Sequence, residues 1–430
     1  MTTPKSFLFA TTDGGGSVPP DMSVARALAD AGHDVRVMAD RVLAPDVAAT
    51  GAEHIAWTRA PQRPDLAPES TLVRDWDAKS PQEAFRRTLD GFMTGPADRF
   101  AADVRAELQR RPADVVVANF FLFGAQIGAE AEGVPRAVLI PNLFAMPGWG
   151  IPPIGPGLKP VRGPVGRLRD GVLGKMTTKL FDHGLDDLNA ARRANGRPPL
   201  DHTLDQYSEA DRLLILTSRA FEFDQYAPPA KVRFCGPRLD DPAWAGNDWT
   251  PPSGDEPLVL VGLSSTFQDH GDLLQRVVDG LGALPVRGLV TSGPAIDPDE
   301  IRAPANVTVV RSAPHSEVLK HAAAVVTHAG HGTVIKTLAA GVPQVCLPLG
   351  RDQLDNAARV DHHGAGLRLK PKADAATIAR AVERVIDDPS FAQNARRLAA
   401  AIADDLTEDR AVEELEELAT RNGARTPATV

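Results

Sequence analysis

Short apolar runs rich in β-branched residues alternate with stretches of helical periodicity along most of the chain. In the first half the runs are SFLFAT, DVRVMA, HIAW, DVVVANF, RAVLIP and LLILT. Helical patterns lie between them, over 22–31, 82–109 and 123–132. In the second half LVLVGLSS, VRGLVTS, VTVVRS, AVVTHAG and QVCLPL are interspersed with helical patterns at 272–284, 333–340 and 356–363. Such strand–helix–strand alternation predicts an α/β fold with parallel, doubly wound sheets, one in each half. No short sequence repeat is present; what repeats is the architecture.

Two stretches break the pattern. Between 142 and 169, NLFAMPGWGIPPIGPGLKPVRGPVGR is rich in proline and glycine, yet it carries Phe144, Trp149, Ile151 and Ile154. Linkers seldom hold so many large apolar groups, so this stretch is expected to be a binding loop. The second break, 236–257, has turn residues and few periodic apolar positions, and it reads as an interdomain linker. The expected organisation is an N-terminal domain over 1–235, this linker, a C-terminal domain over 258–390, and a helical tail over 391–430 packing back on the N-terminal domain. The acidic residues of the tail are expected on a solvated face.

Composition narrows the picture. A length of 430 residues exceeds one compact core, in keeping with two domains. A net charge of −9 lacks the basic footprint that a nucleic-acid partner needs. Cys235 and Cys346 both sit in apolar, strand-like contexts and read as reduced core residues. No apolar run approaches the ~18 residues of a membrane span, and the N-terminus makes a poor signal peptide. We expect a cytoplasmic protein with no membrane partner, a monomer or a homodimer.

The candidate chemistry lies in AVVTHAGHGTVIKTLAAG, where a strand ends in a glycine turn that opens a helix. In doubly wound folds ligands bind at such places. Free N–H groups and the positive end of the helix dipole favour an anion there. Gly330 and Gly332 allow close backbone approach, Thr333 offers a hydroxyl, and His328 and His331 offer N–H donors. The Gly-Lys-Ser/Thr ending of a P-loop is missing. At the end of the next strand, Asp352 and Gln353 supply acceptors and donors suited to sugar hydroxyls.

These segments, with SAPHSEVL before them and LPLGRDQLDNA after, resemble the donor-binding signature of the nucleotide-sugar-dependent glycosyltransferases of the GT-B fold, in order and spacing over about 45 residues. The branch they are most similar to glycosylates antibiotics and other natural products in bacteria. The resemblance implies two facing Rossmann-like domains, the second binding a UDP- or dTDP-sugar and the first an apolar acceptor. By it, His328 and Gly330–Thr333 hold the donor diphosphate, and Ser265 and Thr266 approach the same phosphates. Asp352 and Gln353 bind the transferred sugar; Ala313, through its backbone, and His315 flank the nucleobase. The helix N-terminus and the histidines neutralise the leaving diphosphate, so neither a metal nor a further cofactor is expected. Two departures concern the nucleotide. Ser312 stands where many relatives stack a tryptophan, and Lys336 where many carry a glutamate for the ribose.

The opening turn, TTDGGGSVPP over 11–20, also lies between a strand and a helix. It lacks the G-x-G-x-x-G spacing of a dinucleotide site, which sets aside an oxidoreductase with two Rossmann-like domains. In the resembling family this turn faces the acceptor and presents a histidine base, oriented by an aspartate at the end of a later strand. The matching positions here are Ser17 and Asn119. A serine of ordinary acidity cannot take the acceptor's proton. Three readings stay open: Asp13 serves as base, directly or through water; the acceptor is already acidic, a phenol or enol; or catalysis has been lost. For Asp13 the plainer reading is a turn residue bonded to its own backbone. Phe120, Phe121 and Phe123, with Trp149, are the candidate acceptor wall, although such residues are more often core. The resulting expectation is an inverting transferase acting on a polyketide, macrolide or phenol without the usual His–Asp pair. The alternative is a non-catalytic homologue that binds a sugar nucleotide or serves as an auxiliary subunit.

Overall fold

The computed structural model describes residues 3–65, 67–241, 245–246, 249–264, 268, 270–293 and 296–423. The first sheet contains β1 (Ser6–Ala10), β2 (Asp34–Ala39), β3 (Glu53–Ala56), β4 (Val115–Asn119), β5 (Arg136–Ile140), β6 (Arg212–Ile215) and β7 (Val232–Phe234), in the order β3-β2-β1-β4-β5-β6-β7. The second contains β8 (Leu258–Gly262), β9 (Arg287–Thr291), β10 (Val307–Val310), β11 (Ala322–Thr327), β12 (Gln344–Cys346) and β13 (Gly366–Arg368), in the order β10-β9-β8-β11-β12-β13. Every pairing is parallel. These are two Rossmann-like, doubly wound α/β sheets, the class expected from the sequence. Chain direction across each sheet reverses between β1 and β4 and between β8 and β11, the two places where open α/β sheets bind ligands.

The central strands are apolar because helices cover both faces. All residues of β4, β5 and β8 are buried. Both cysteines are buried and free. Among the described residues no helix is long and apolar enough to cross a membrane.

Two helical expectations change. The pattern over 82–109 is not one helix: it runs as Pro81–Thr88, a wider turn over Leu89–Met93, and then Ala97–Arg110. Pro96 has no N–H to donate and disfavours helical dihedrals at Gly95, so the helix restarts after it. The irregular stretch expected over 142–169 ends at Gly163, which has φ 87°, and Pro164 opens an 18-residue helix, Pro164–Phe181. Periodicity failed there because only Gly166 and Gly174 of this helix are buried. Its apolar side chains, among them Val165 at 74% and Leu168 at 71%, face outward.

The last two helices divide between the domains. Helix Pro389–Asp405 packs Ala395, Leu398 and Ile402 against the second domain's Leu338 and the first domain's Phe221. Helix Arg410–Gly423 sets Ala411, Leu415 and Leu418 into the core of the first domain with Leu214 and Cys235. Its acidic residues are not all solvated as expected. Glu414 bonds both Arg212 and Arg233 at 2.7 Å, and Glu416 meets His33 at 2.8 Å.

The domains meet along helix Gln353–His362. Its Asp355 accepts the backbone N–H of Gly155 at 2.6 Å and of Gly157 at 3.2 Å, while Lys159 pairs with its Asp361. One apolar cluster joins Leu143 and Phe221, which follow β5 and β6, to Ala329, which follows β11. The carboxyl ends of both sheets therefore face each other.

Candidate active site

The candidate donor turn forms where β8 and β11 end side by side, Gly262 opposite Thr327. The Thr327 hydroxyl accepts the Ala329 N–H at 3.2 Å, and Ala329 turns the chain at φ 68°. Such a conformation is strained for a residue with a Cβ and persists only where the surroundings enforce it; Ala329 is fully buried. Gly330 then caps helix His331–Ala339, whose first turn holds no acidic residue. The first N–H groups, those of His331, Gly332 and Thr333, have no partner within the helix and carry its positive end.

His328 lies across Gly330: a Cβ on Gly330 would sit 2.5 Å from the His328 Nε2. Burial, aided by the charge of His270 and Arg351, pushes the His328 imidazole down to about 3. The ring is neutral and donates or accepts without a charge of its own. His331 is placed differently. Its side chain turns away to Asn356, with Nδ1 3.3 Å from Asn356 Oδ1. Asn356 was not singled out from the sequence, yet it organises this end of the site. Its amide donates to the Ala329 carbonyl at 3.0 Å and to Asp352 at 2.8 Å. The only sequence signal for it is its position four residues after Asp352, on the same helical face.

Gln353 is largely occupied by protein groups. Its carbonyl accepts the N–H of Leu349 at 2.7 Å and of Gly350 at 3.0 Å, and its Nε2 donates to Gln268 at 3.0 Å. Ser265 and Thr266 lie outside the described residues. Among the described residues no group of three or more histidine, cysteine or acidic side chains is placed to hold a metal.

At the place expected for the nucleobase, Ala313 is buried, and His315 sits against β8, 3.1 Å from the Thr291 hydroxyl. Lys336 carries its own counter-charge there: it meets Asp241 at 2.7 Å and the Asp240 carbonyl at 2.6 Å. Asp241 also accepts the Ser316 hydroxyl at 2.6 Å. Burial pushes the Asp241 carboxyl up, but Lys336 and the Ser316 hydrogen bonds outweigh it and hold it below the usual carboxylate range. The sequence reading missed this carboxylate because it lies in the linker, 95 positions before Lys336.

Burial, with a contribution from Lys336, pushes His315 down to about 4. Folded, His315 and His328 bind fewer protons than the unfolded chain, which protonates histidine near pH ~6.5. Their contribution to stability is therefore complete above that pH and is lost as pH falls toward 4. His315→Gln is expected to fall less steeply in Tm between pH 6.5 and 4.5 than the wild type, as read by a thermal-melt series.

In the first domain the opening turn is laced to Asp40. The Thr12 hydroxyl and the Asp13 N–H both donate to Asp40 Oδ2, at 2.8 and 2.7 Å. The Asp13 carboxylate pairs with Arg63 at 2.6 Å. Ser17 ends a short 3-10 turn, Gly15–Ser17, and precedes helix Val18–Asp30. Its hydroxyl is buried without a hydrogen-bond partner in the protein. One helical turn on, Asp21 is buried. Its Oδ2 accepts the Thr11 hydroxyl at 2.7 Å and the Asn119 amide at 2.8 Å. A carboxylate thus neighbours Asn119 after all, contributed by the helix and not by the strand end.

Of the candidate acceptor wall, Phe120 and Phe121 meet with ring centroids 3.9 Å apart and planes tilted by 34°, and both stay partly exposed. Phe121 also flanks Gly14 of the opening turn. Phe123 is fully buried and packs edge-on against Tyr207 at 5.0 Å, so it is a core residue with no surface to offer a ligand. Trp149 is mostly buried between Phe144 and Tyr226. A cleft of about 720 Å³ opens between the 147–151 segment and helix Pro164–Phe181, and no residue of either turn lines it.

Comparison with known proteins bears on the family and the fold. The family described as erythromycin biosynthesis protein CIII-like, C-terminal domain, matches residues 275–418. The 4'-demethylrebeccamycin synthase of Lentzea aerocolonigenes is 31% identical over 408 residues, covering 91% of this chain and 94% of that protein. The oleandomycin glycosyltransferase of Streptomyces antibioticus is 29% identical over 440 residues, covering 99% and 94%. Among solved structures, the glycosyltransferase of kitacinnamycin shares the fold with a TM-score of 0.78 at 24% identity, covering 97% of this chain and all of that one. With 31% identity sustained over nearly the whole of both chains, this chain belongs to the GT-B glycosyltransferases of antibiotics and other natural products.

Proposed function

We propose that the chain transfers a hexose from a UDP- or dTDP-sugar to a hydroxyl of a hydrophobic natural product, with inversion at the anomeric carbon. The observation that carries this reading is that each sheet ends in a ligand-type turn, a helix N-terminus free of acidic residues in one domain and an aromatic-flanked turn in the other, with one apolar cluster joining the two domains at those sheet ends. The acceptor oxygen attacks the anomeric carbon as the bond to the diphosphate oxygen breaks. The electron pair leaves on that oxygen. The N–H groups of His331, Gly332 and Thr333, the positive end of their helix and the neutral His328 then meet the developing charge. Asp352, fixed by Asn356, is positioned for the sugar hydroxyls, and Ala313 and His315 for the base. Phe120 and Phe121 offer the acceptor an apolar wall. The relatives named for rebeccamycin and oleandomycin support a natural-product acceptor.

The test is direct. Purified protein is incubated with UDP-glucose or dTDP-glucose and a panel of phenols and macrolides, and products are read by mass while donor affinity is measured by calorimetry. We expect a mass gain of one hexose with at least one acceptor. Donor binding without transfer to any acceptor would instead favour the non-catalytic homologue, the reading that Ser17 and Asn119 at the expected dyad positions support.

A further inference from the structure

We propose that Asp21 receives the proton that the acceptor hydroxyl loses, passed to it through the Ser17 hydroxyl or through one water. This inference rests on the transferase reading above and names the proton acceptor of that site.

The geometry singles Asp21 out among the carboxylates of the turn. Asp13 is held by Arg63. Asp40 accepts from Thr12 and from the backbone of Asp13 and Arg63. Asp21 differs because only one of its oxygens is used. Oδ2 is fixed by Thr11 and Asn119, while Oδ1 is buried with no hydrogen-bond partner in the protein. The orientation of Asn119 is itself determined, because its Oδ1 accepts the Phe121 N–H at 3.1 Å and its Nδ2 must therefore face Asp21. Ser17 Oγ is the other buried, unpartnered polar atom of this corner. It precedes Asp21 by one helical turn, the spacing that places two side chains on one face. The two atoms do not bond each other, and each is costly to leave unpaired unless a water completes it. Phe121 links the corner to the acceptor wall, since it bonds Asn119 through its backbone and flanks Gly14 with its ring.

The protonation state agrees. Burial raises the Asp21 carboxyl to about 7, the hydrogen bonds from Thr11 and Asn119 opposing it only in part. No charged group is paired with it. Arg26, further along the same helix, faces Asp240, and the charged groups of the turn bond one another or the backbone. A carboxylate with a pKa near the working pH is suited to accept and then release a proton. In the step, the acceptor oxygen bonds the anomeric carbon, its proton moves to a water that bridges to Asp21, or to the Ser17 hydroxyl whose own proton passes on to Asp21 through that water, and the diphosphate leaves with the electron pair of the broken bond. Asp21 ends neutral and returns the proton to solvent after product release.

The experiment measures kcat/KM from pH 5.5 to 9 for wild type, Asp21→Asn, Asn119→Asp and Asp13→Asn, with an aliphatic alcohol acceptor and with 4-nitrophenol. Donor affinity and Tm are measured alongside. For the alcohol, the wild type is expected to gain activity with pH through about 7. Asp21→Asn should lose that rise and about 10²- to 10⁴-fold in rate. With 4-nitrophenol, which ionises unaided, it should lose only a few-fold. Its donor affinity should match the wild type. Its Tm at pH 8 should be no lower, because a carboxyl with a raised folded pKa stabilises the fold at low pH and loses that contribution as pH rises through 7. Asn119→Asp places a second carboxylate against the first and should move the rise to higher pH. Equal losses with both acceptors, an unmoved rise in Asn119→Asp, or the same alcohol-specific loss in Asp13→Asn in place of Asp21→Asn would each overturn the proposal. A wild type that binds donor and transfers to no acceptor overturns the transferase reading, and this inference with it.

Discussion

Glu222→Ala is expected to destabilise the protein by about 3–5 kcal/mol. Glu222 belongs to the first domain and Arg359 to helix Gln353–His362 of the second. Their ion pair, at 2.5 Å, is 1% and 3% exposed. The guanidinium also donates to the Asp355 carbonyl at 3.1 Å and lies 4.4 Å over the Phe223 ring. Removing the carboxylate leaves a positive charge buried at the seam between domains without its ion-pair partner, the nearby Asp355 carboxyl being held by the Gly155 and Gly157 N–H groups. That penalty is larger than the net worth of the intact pair. Glu222→Leu combined with Arg359→Leu should accordingly recover much of the loss, which a double-mutant cycle in urea would read as a large coupling energy. The same helix begins with Gln353, directly after Asp352, so the single variant is also expected to weaken sugar-donor affinity. Calorimetry with UDP-glucose and dTDP-glucose checks this.

The second large effect is expected at the donor turn. Gly330 has φ −62° and ψ 140°, a conformation any residue adopts, so its backbone does not require glycine. What requires glycine is the His328 ring, 2.5 Å from where a Cβ would sit. Gly330→Ala must displace a buried imidazole. A shift of this order in a positioning group costs about 10²-fold in kcat/KM, with about 1–3 kcal/mol of stability from overpacking. Gly332→Ala is the control. A Cβ there meets nothing within 4 Å, so its Tm should equal that of the wild type. Melting curves on the pair separate crowding at His328 from a general intolerance of the turn, and a nucleoside diphosphate titration of Gly330→Ala reads the loss at the site.

Most of the fold was legible because parallel strands buried on both faces must be apolar at consecutive positions. DVVVANF became β4 and RAVLIP became β5, with every residue of both strands buried. The glycine turn that opens helix His331–Ala339 was legible for a related reason. A strand end, a glycine pair and a helix start follow one another within a few residues, so local sequence alone positions the N–H groups. Helix Pro164–Phe181 was not legible. Glycines make its contact with the domain, and its apolar residues face solvent, so the pattern that marks a packed helix is inverted.

Sequence by itself determined the two-sheet α/β architecture and the strand-end glycine turn from His328 to Thr333 that opens a helix. Only the tertiary structure decided which carboxylates matter. Asp21 reaches Thr11 across 10 positions and Asn119 across 98, and Asp241 reaches Lys336 across 95. Sequence position also cannot reveal that Asp13 is neutralised by Arg63, 50 positions away. The physical reason is common to all of them. A carboxylate's protonation and availability depend on desolvation and on partners within hydrogen-bonding distance, and both are properties of the packed chain.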